Sequence, residues 1–365
     1  MNSKERVRAV LTVKPVDRLP VEFHFADAEI LEYFAEQYKM DSDQFLEYLE
    51  NDIRYAYVMD ELGCYMQDRH LLDYAIKHGF AKQDPNKPHH VYDKWGVGWD
   101  SSATGQRPVH EPLEDWDDSD QWKQLSSILR PEASSAGQFY DYERHEESFR
   151  KNNYAIVILQ YYGPLERCEL LRGFNNFMCD MMVDSDHAEA LLDMVTDYRV
   201  DLARVISKKD VAFGHGGDDY GTQSGPLISL DLWRSLIKPR LARIWSVYKD
   251  AGLPIVHHSC GNCEPFIDEM IDIGLDAIHP VQAETMDINK LVKRYGDRVV
   301  YYGGFKTQTI LTDGTPDDVR NNVRDTINTL GKSGRMFAAP INIMQNVPLE
   351  NFKALVESVH KYRYI

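Results

Sequence analysis

The run His257-His258-Ser259-Cys260-Gly261-Asn262-Cys263 holds the residues best able to do chemistry. It follows a short apolar strand, Leu253 to Val256, and precedes a helix start at Pro265. An imidazole and a thiol two residues apart at the C-terminal end of a strand can hold a borderline-soft cation such as zinc. A lone His-x-Cys is short and weakly specific, and a small buried cysteine beside a satisfied histidine is the bland alternative. Cys260 and Cys263 also form a Cys-x-x-Cys. No cysteine follows to complete a structural zinc site, so Cys263 is kept as a possible further ligand. Asp218 and Asp219 are the next candidates. On a strand, adjacent side chains point to opposite faces, so at most one of them can face the same site.

The elements that must position these residues alternate. In the C-terminal half, apolar stretches at Val211–His215, Leu253–His258, Leu275–Pro280, Arg298–Gly303 and Arg335–Ala339 read as strands. Between them lie helical patterns with start signals at Ser229, Pro265, Asp287 and Thr315-Pro316-Asp317-Asp318, and a last helix over Pro348–Tyr362. Pro239 should kink or break the helix that follows Ser229. Earlier, a helix is expected over Ser3–Leu11, strands over Arg18–Phe25 and Tyr154–Gln160, a hairpin over Val91–Trp99 in a long loop from Asp84 to Asp118, and mostly helix over Phe177–Lys208.

Such alternation requires parallel strands with right-handed crossovers, which a closed (β/α)8 barrel and an open doubly wound sheet both satisfy; two features favour the barrel. No glycine-rich phosphate loop follows any strand, and polar residues recur at strand ends. The expected fold is therefore α/β, a single (β/α)8 TIM barrel over residues 1–365, with N-terminal helical additions and a hairpin and long-loop insertion. At its mouth would gather Glu22, His24 and Asp27; Tyr161 and Tyr162; Asp218, Asp219 and Tyr220; His258 and Cys260; His279 and Gln282; Lys306; and Asn342 and Gln345. His279 and the tyrosines can equally be plain wall residues.

Composition limits the partners. A formal net charge of −17 disfavours nucleic acid or an anionic membrane, which need a basic footprint. No apolar run approaches a membrane span, and Met1 to Pro20 has no signal-like apolar stretch. Five cysteines in ordinary contexts suit free thiols in a reducing cytoplasm.

Several segments together resemble the uroporphyrinogen decarboxylase superfamily, and in particular its cobalamin-dependent methyltransferases. They are Ser3-Lys4-Glu5-Arg6-Val7, Asp17-Arg18-Leu19-Pro20-Val21, Leu171-Arg172-Gly173-Phe174, Asp218 to Gln223 with Gly225 to Ser229, His258 to Asn262, Gly303-Gly304 and Asn346 to Asn351. The resemblance implies a barrel in which His258 and Cys260 bind zinc. It implies methyl transfer between a corrinoid carried by a partner protein and a small-molecule thiol, ether or similar substrate, which is a methyl acceptor or donor. In that family a later cysteine near the last strand is the third ligand. Here the region reads Phe337-Ala338-Ala339-Pro340-Ile341-Asn342, so Cys263, Asp219, Glu22 and His24 are the candidates. Asp219, His258 and Cys260 are the expected catalytic residues. Two alternatives stand. One is a metal-free tetrapyrrole decarboxylase, although no arginine occurs between Arg18 and Arg54 to grip propionates. The other is a non-catalytic corrinoid or metal binder.

Overall fold

The computed structural model describes residues 1–102, 108–116, 122, 125, 130–183 and 185–364. The chain is an α/β protein whose parallel strands fall into two sheets. One pairs β1 (Ile53–Tyr57) with β6 (Ala155–Leu159). The other runs β11 (Met336–Phe337), β10 (Val300–Gly303), β9 (Ala277–Val281), β8 (Ile255–His258), β7 (Gly214–Gly217). Single backbone bonds join their edges, Ala212 N–H to the Ile156 carbonyl at 2.8 Å and Gly163 N–H to the Gly217 carbonyl at 2.6 Å.

The expected first strand, Arg18–Phe25, is reduced to two parallel bridges, Val21 with Ala338 and Phe25 with Ile343. On its other side, one backbone bond, Asp52 N–H to the Val21 carbonyl at 2.8 Å, is joined by side chains in place of a ladder. Asp52 accepts from Val21 N–H at 2.8 Å, and Asn51 accepts from Phe23 N–H at 2.9 Å. The expected last strand shortens to Met336–Phe337, because the Ala339 N–H turns back onto the Phe337 carbonyl at 2.9 Å. The Val211–His215 strand moves to Gly214–Gly217, where a Cβ on Gly214 would lie 2.5 Å from the Tyr248 ring. That close approach selects glycine over the better strand formers just before it.

Alternation along the strands sorts the core into two clusters. Val157, Val256, Ala277, Val300 and Phe337 share one face of the sheets, while Ile158, Ile255, Ile278 and Tyr301 pack on the other face beneath the helices. Several helix starts fall where the sequence places them. Asn2 and Glu5 form a capping box on Ser3–Leu11, Thr315 and Asp318 form one on Pro316–Thr326, and Asp287 caps Ile288–Tyr295. Pro239 interrupts the helix without ending it. A π turn over Trp233–Ile237 absorbs the irregularity, and Pro239 sits in the first turn of Lys238–Asp250, where its missing N–H matters little.

The expected hairpin is present inside a four-stranded antiparallel sheet, β2 (Ala81–Gln83), β3 (His90–Asp93), β4 (Gly98–Asp100) and β5 (Pro108–His110), with Val91 opposite Trp99. Residues 103–107 and 117–118 of the expected long loop lie outside the described residues. The expected mostly helical stretch Phe177–Lys208 falls on the helical residues Phe174–Val183 and Ser185–Ile206, with residue 184 outside the described residues. Among the described residues, no helix is long and apolar enough to cross a membrane. All five cysteines are free thiols.

Candidate metal centre

Strand alternation turns His258 to the same face as Val256, while His257 turns the other way and packs against Tyr220 and Trp245. The loops after β7 and β8 then meet backbone to backbone. A Cβ on Gly261 would lie 2.5 Å from the Gly221 carbonyl carbon, and Gly261 has a φ of 74°, which glycine adopts without strain. Three bonds fix this contact: Tyr220 N–H to Ser259 Oγ at 3.0 Å, Asn262 N–H to the Thr222 carbonyl at 2.9 Å, and Cys260 N–H to Asp219 Oδ1 at 2.7 Å.

The result is a converging set of donors. His258 Nε2 lies 3.2 Å from Cys260 Sγ and 3.7 Å from Asp219 Oδ1. The ligand atoms of Asp219, His258 and Cys260 all lie within 4.8 Å of one another. Tetrahedral zinc with ordinary Zn–S, Zn–N and Zn–O lengths would separate neighbouring ligands by about 3.4–3.6 Å. The two measured separations bracket that value, and one thiol, one imidazole and one carboxylate form a donor set zinc accepts. The residues fit the metal.

Asp218 faces away from the set. It is fully buried and accepts from Leu165 N–H at 3.0 Å, Glu166 N–H at 2.8 Å and the Tyr220 hydroxyl at 2.9 Å, which fixes the N-terminus of helix Pro164–Arg172. Cys263 Sγ faces Met286 Sδ at 4.0 Å. His24 Nδ1 pairs with Glu22 Oε1 at 3.0 Å, and Glu22 also accepts from the Tyr302 hydroxyl. Among the described residues, the converging group holds neither Cys263 nor the Glu22–His24 pair.

A cavity of about 250 Å³ opens over the three donors. Seven residues expected at the mouth line it: His24, Tyr161, Tyr162, Asp219, His258, Cys260 and Asn342. Gln282 belongs to the neighbouring wall, where it accepts from Gly261 N–H at 2.8 Å, whereas Asp27 and Lys306 face other clefts. Tyr220 is buried beside His257. Glu166, Tyr57 and Cys64 also line the cavity and were not foreseen. The signal for Glu166 was available: Gly163-Pro164 directly after a strand marks a helix start, so its first turn must sit at the strand's end.

Burial sets the electrostatics. It lowers the pKa of His258 against the pull of Asp219, which leaves a neutral imidazole able to ligate. Burial, Asp219 and Glu166 all push the Cys260 thiol up. Burial and the charges of Asp219, Asp218 and Glu169 push Glu166 well above the carboxylate range.

The far wall is held by ions. Tyr162 has a φ of 55°, unusual for a bulky side chain. Arg199 donates to the Tyr161 carbonyl at 2.7 Å and to the Tyr162 carbonyl. Glu61, itself buried, pairs with Arg199 at 2.7 Å and with Arg167 at 3.3 Å, and Arg167 pairs with Asp93 of the inserted sheet at 3.3 Å.

The sequence profile of uroporphyrinogen decarboxylase (URO-D) matches residues 104–362, so the chain belongs to that family. Among solved structures, a methyltransferase from Methanosarcina mazei is similar over 99% of both chains, with 19% identity and a TM-score of 0.66. That likeness establishes a shared fold. A glycosylated endo-β-1,4-xylanase from Gloeophyllum trabeum is similar over 65% of this chain and 83% of that one, with 9% identity and a TM-score of 0.42. No curated protein sequence matches.

Proposed function

We propose that this protein is a zinc-assisted methyltransferase that moves a methyl group between a corrinoid carried by a partner protein and a small thiol, ether or similar substrate. The observation that carries the reading is the convergence of Asp219, His258 and Cys260 under one small cavity. In this reading Asp219 replaces the family's later cysteine. Zinc held there supplies Lewis-acid stabilisation of a thiolate acceptor, or of an alkoxide or phenolate leaving a methyl donor.

The chain's own residues do the rest. The Cys260 N–H bond holds Asp219 at the donor set, and the packed glycines hold Cys260. Tyr57, Tyr161 and Tyr162 wall the cavity and limit water around the reacting atoms. Burial and its carboxylate neighbours raise Glu166 well above the carboxylate range at the cavity edge, which favours its neutral form beside Asp219 and Cys260.

Among the described residues, no lysine or arginine lines this cavity, and its volume lies below the ~300–1,000 Å³ typical of larger ligand pockets. Both facts favour a small methyl donor or acceptor over a polycarboxylate tetrapyrrole. We also read residues 1–365 as one domain. The two parallel sheets and the Leu19–Phe25 segment make a ring of eight strand positions, a reading supported by the bridges to Ala338 and Ile343 and by the bonds from β6 to β7.

The test is spectroscopic. Zinc-loaded protein is mixed with methylcob(III)alamin and a panel of small thiols, and separately with cob(I)alamin and a panel of methyl ethers and methanol. Conversion of the corrinoid spectrum in one arm, lost in Cys260→Ala, is expected. No conversion in either arm, together with decarboxylation of uroporphyrinogen, would overturn the proposal.

A further inference from the structure

Parallel pairing of β8 with β9 puts His258 directly beside His279. Their Nδ1 atoms lie 2.9 Å apart, and both side chains are buried. Two imidazole nitrogens at that distance share one proton, so one ring donates and the other accepts. We infer that His279 is a positioning residue for the metal centre, accepting the His258 Nδ1 proton and so presenting the His258 Nε2 lone pair to Asp219 and Cys260. The inference rests on the zinc reading above.

One observation fixes the direction, and two describe how the ring is held. His258 Nε2 is the nitrogen that faces the thiol and the carboxylate, so a ligating, neutral His258 carries its proton on Nδ1. His279 must then receive it on a bare Nδ1 and carry its own proton on Nε2. Among the described residues, His279 Nε2 meets no polar partner, so its proton is a buried donor whose desolvation cost the Nδ1 bond to His258 must offset. The ring is also wedged. Tyr302 packs edge-to-face at 4.5 Å and 81°, and His215 lies 6.3 Å away at 71°. A carboxylate or carbonyl commonly takes this supporting role at metal-bound histidines. A neutral imidazole orients the ligand while adding no charge to a set that already holds a carboxylate and a thiol.

The test uses metal affinity. Zn(II) and Co(II) binding are measured by chelator competition for the wild type, His279→Phe and His279→Asn. The phenylalanine keeps a ring against Tyr302 but cannot accept, and should bind roughly 10–100-fold more weakly. The asparagine offers an oxygen near the Nδ1 position and should recover most of the affinity. Equal affinity in the wild type and His279→Phe would overturn the inference and leave the metal reading intact. A wild type that binds neither ion would overturn both. A measurement without substitution covers a variant that fails to fold. Nitrogen-15 spectra of the zinc-loaded wild type should show His258 protonated at Nδ1 and His279 at Nε2, and a His279 protonated at Nδ1 would contradict the assignment.

Discussion

The two walls of the cavity are built by different physics. The wall from the β7 and β8 loops is held by backbone contact, with Gly221 against Gly261 and three short hydrogen bonds across the seam. The opposite wall, at Tyr161 and Tyr162, is held from behind by buried charge, with Glu61 between Arg167 and Arg199 and Asp93 reaching in from the inserted sheet. The first wall needs close approach and no side-chain charge. The second holds a strained turn only while every buried ion keeps its partner. The candidate metal donors belong to the first wall, and Tyr161 and Tyr162 belong to the second.

The sharpest way to break this contrast is to remove the hub of the ionic wall. Glu61→Leu leaves two buried guanidiniums without their shared carboxylate and should destabilise the protein by about 3–5 kcal/mol in urea unfolding. A loss below about 1 kcal/mol would mean that the ions are incidental. The counterpart is Gly261→Ala. The φ of 74° and the 2.5 Å approach to Gly221 should together cost about 2–3 kcal/mol, and zinc affinity should fall with it because Cys260 is displaced. Unchanged zinc affinity would separate the seam from the donors.

A pH-dependent effect of similar size tests the buried carboxylates behind the donor wall. Burial, then Asp218 and Asp219, push Glu169 up to about 8. In the unfolded chain this group loses its proton near the ordinary glutamate value, so the folded state binds more protons between that value and about 8. Its contribution to stability is therefore full below about pH 4.5 and is lost as pH rises through about 8. Glu169→Gln should match the wild type in acid and exceed it by roughly 3–5 kcal/mol at pH 8.5, read by thermal unfolding across pH. The smallest effect is the control. Arg320 pairs with Asp317 at 2.8 Å with both side chains largely in water, and Arg320→Ala should change stability by no more than about 0.5 kcal/mol.

The same contrast explains what the sequence makes legible. The donor wall is written in two short segments at strand ends. His-x-Cys is visible directly, and period-two alternation says that one of Asp218 and Asp219 turns away, as Asp218 does to cap a helix. The later strands and helix caps are equally local, so their positions hold to within a few residues. The ionic wall is not local. Asp60 accepts from Tyr198, and Glu61 meets Arg167 and Arg199, across more than a hundred residues that no short-range pattern connects. The first strand shows the intermediate case. Its apolar alternation is clear, but nothing nearby in sequence reveals that Asn51 and Asp52 occupy its amide groups.

Metal stoichiometry decides whether Asp219, His258 and Cys260 hold a metal. Elemental mass spectrometry on the purified protein and on Cys260→Ala and Asp219→Ala, each incubated with zinc and dialysed, should find close to one zinc per wild-type chain and a large loss in both variants. A wild type that retains no zinc, or variants that retain as much as the wild type, would contradict the account.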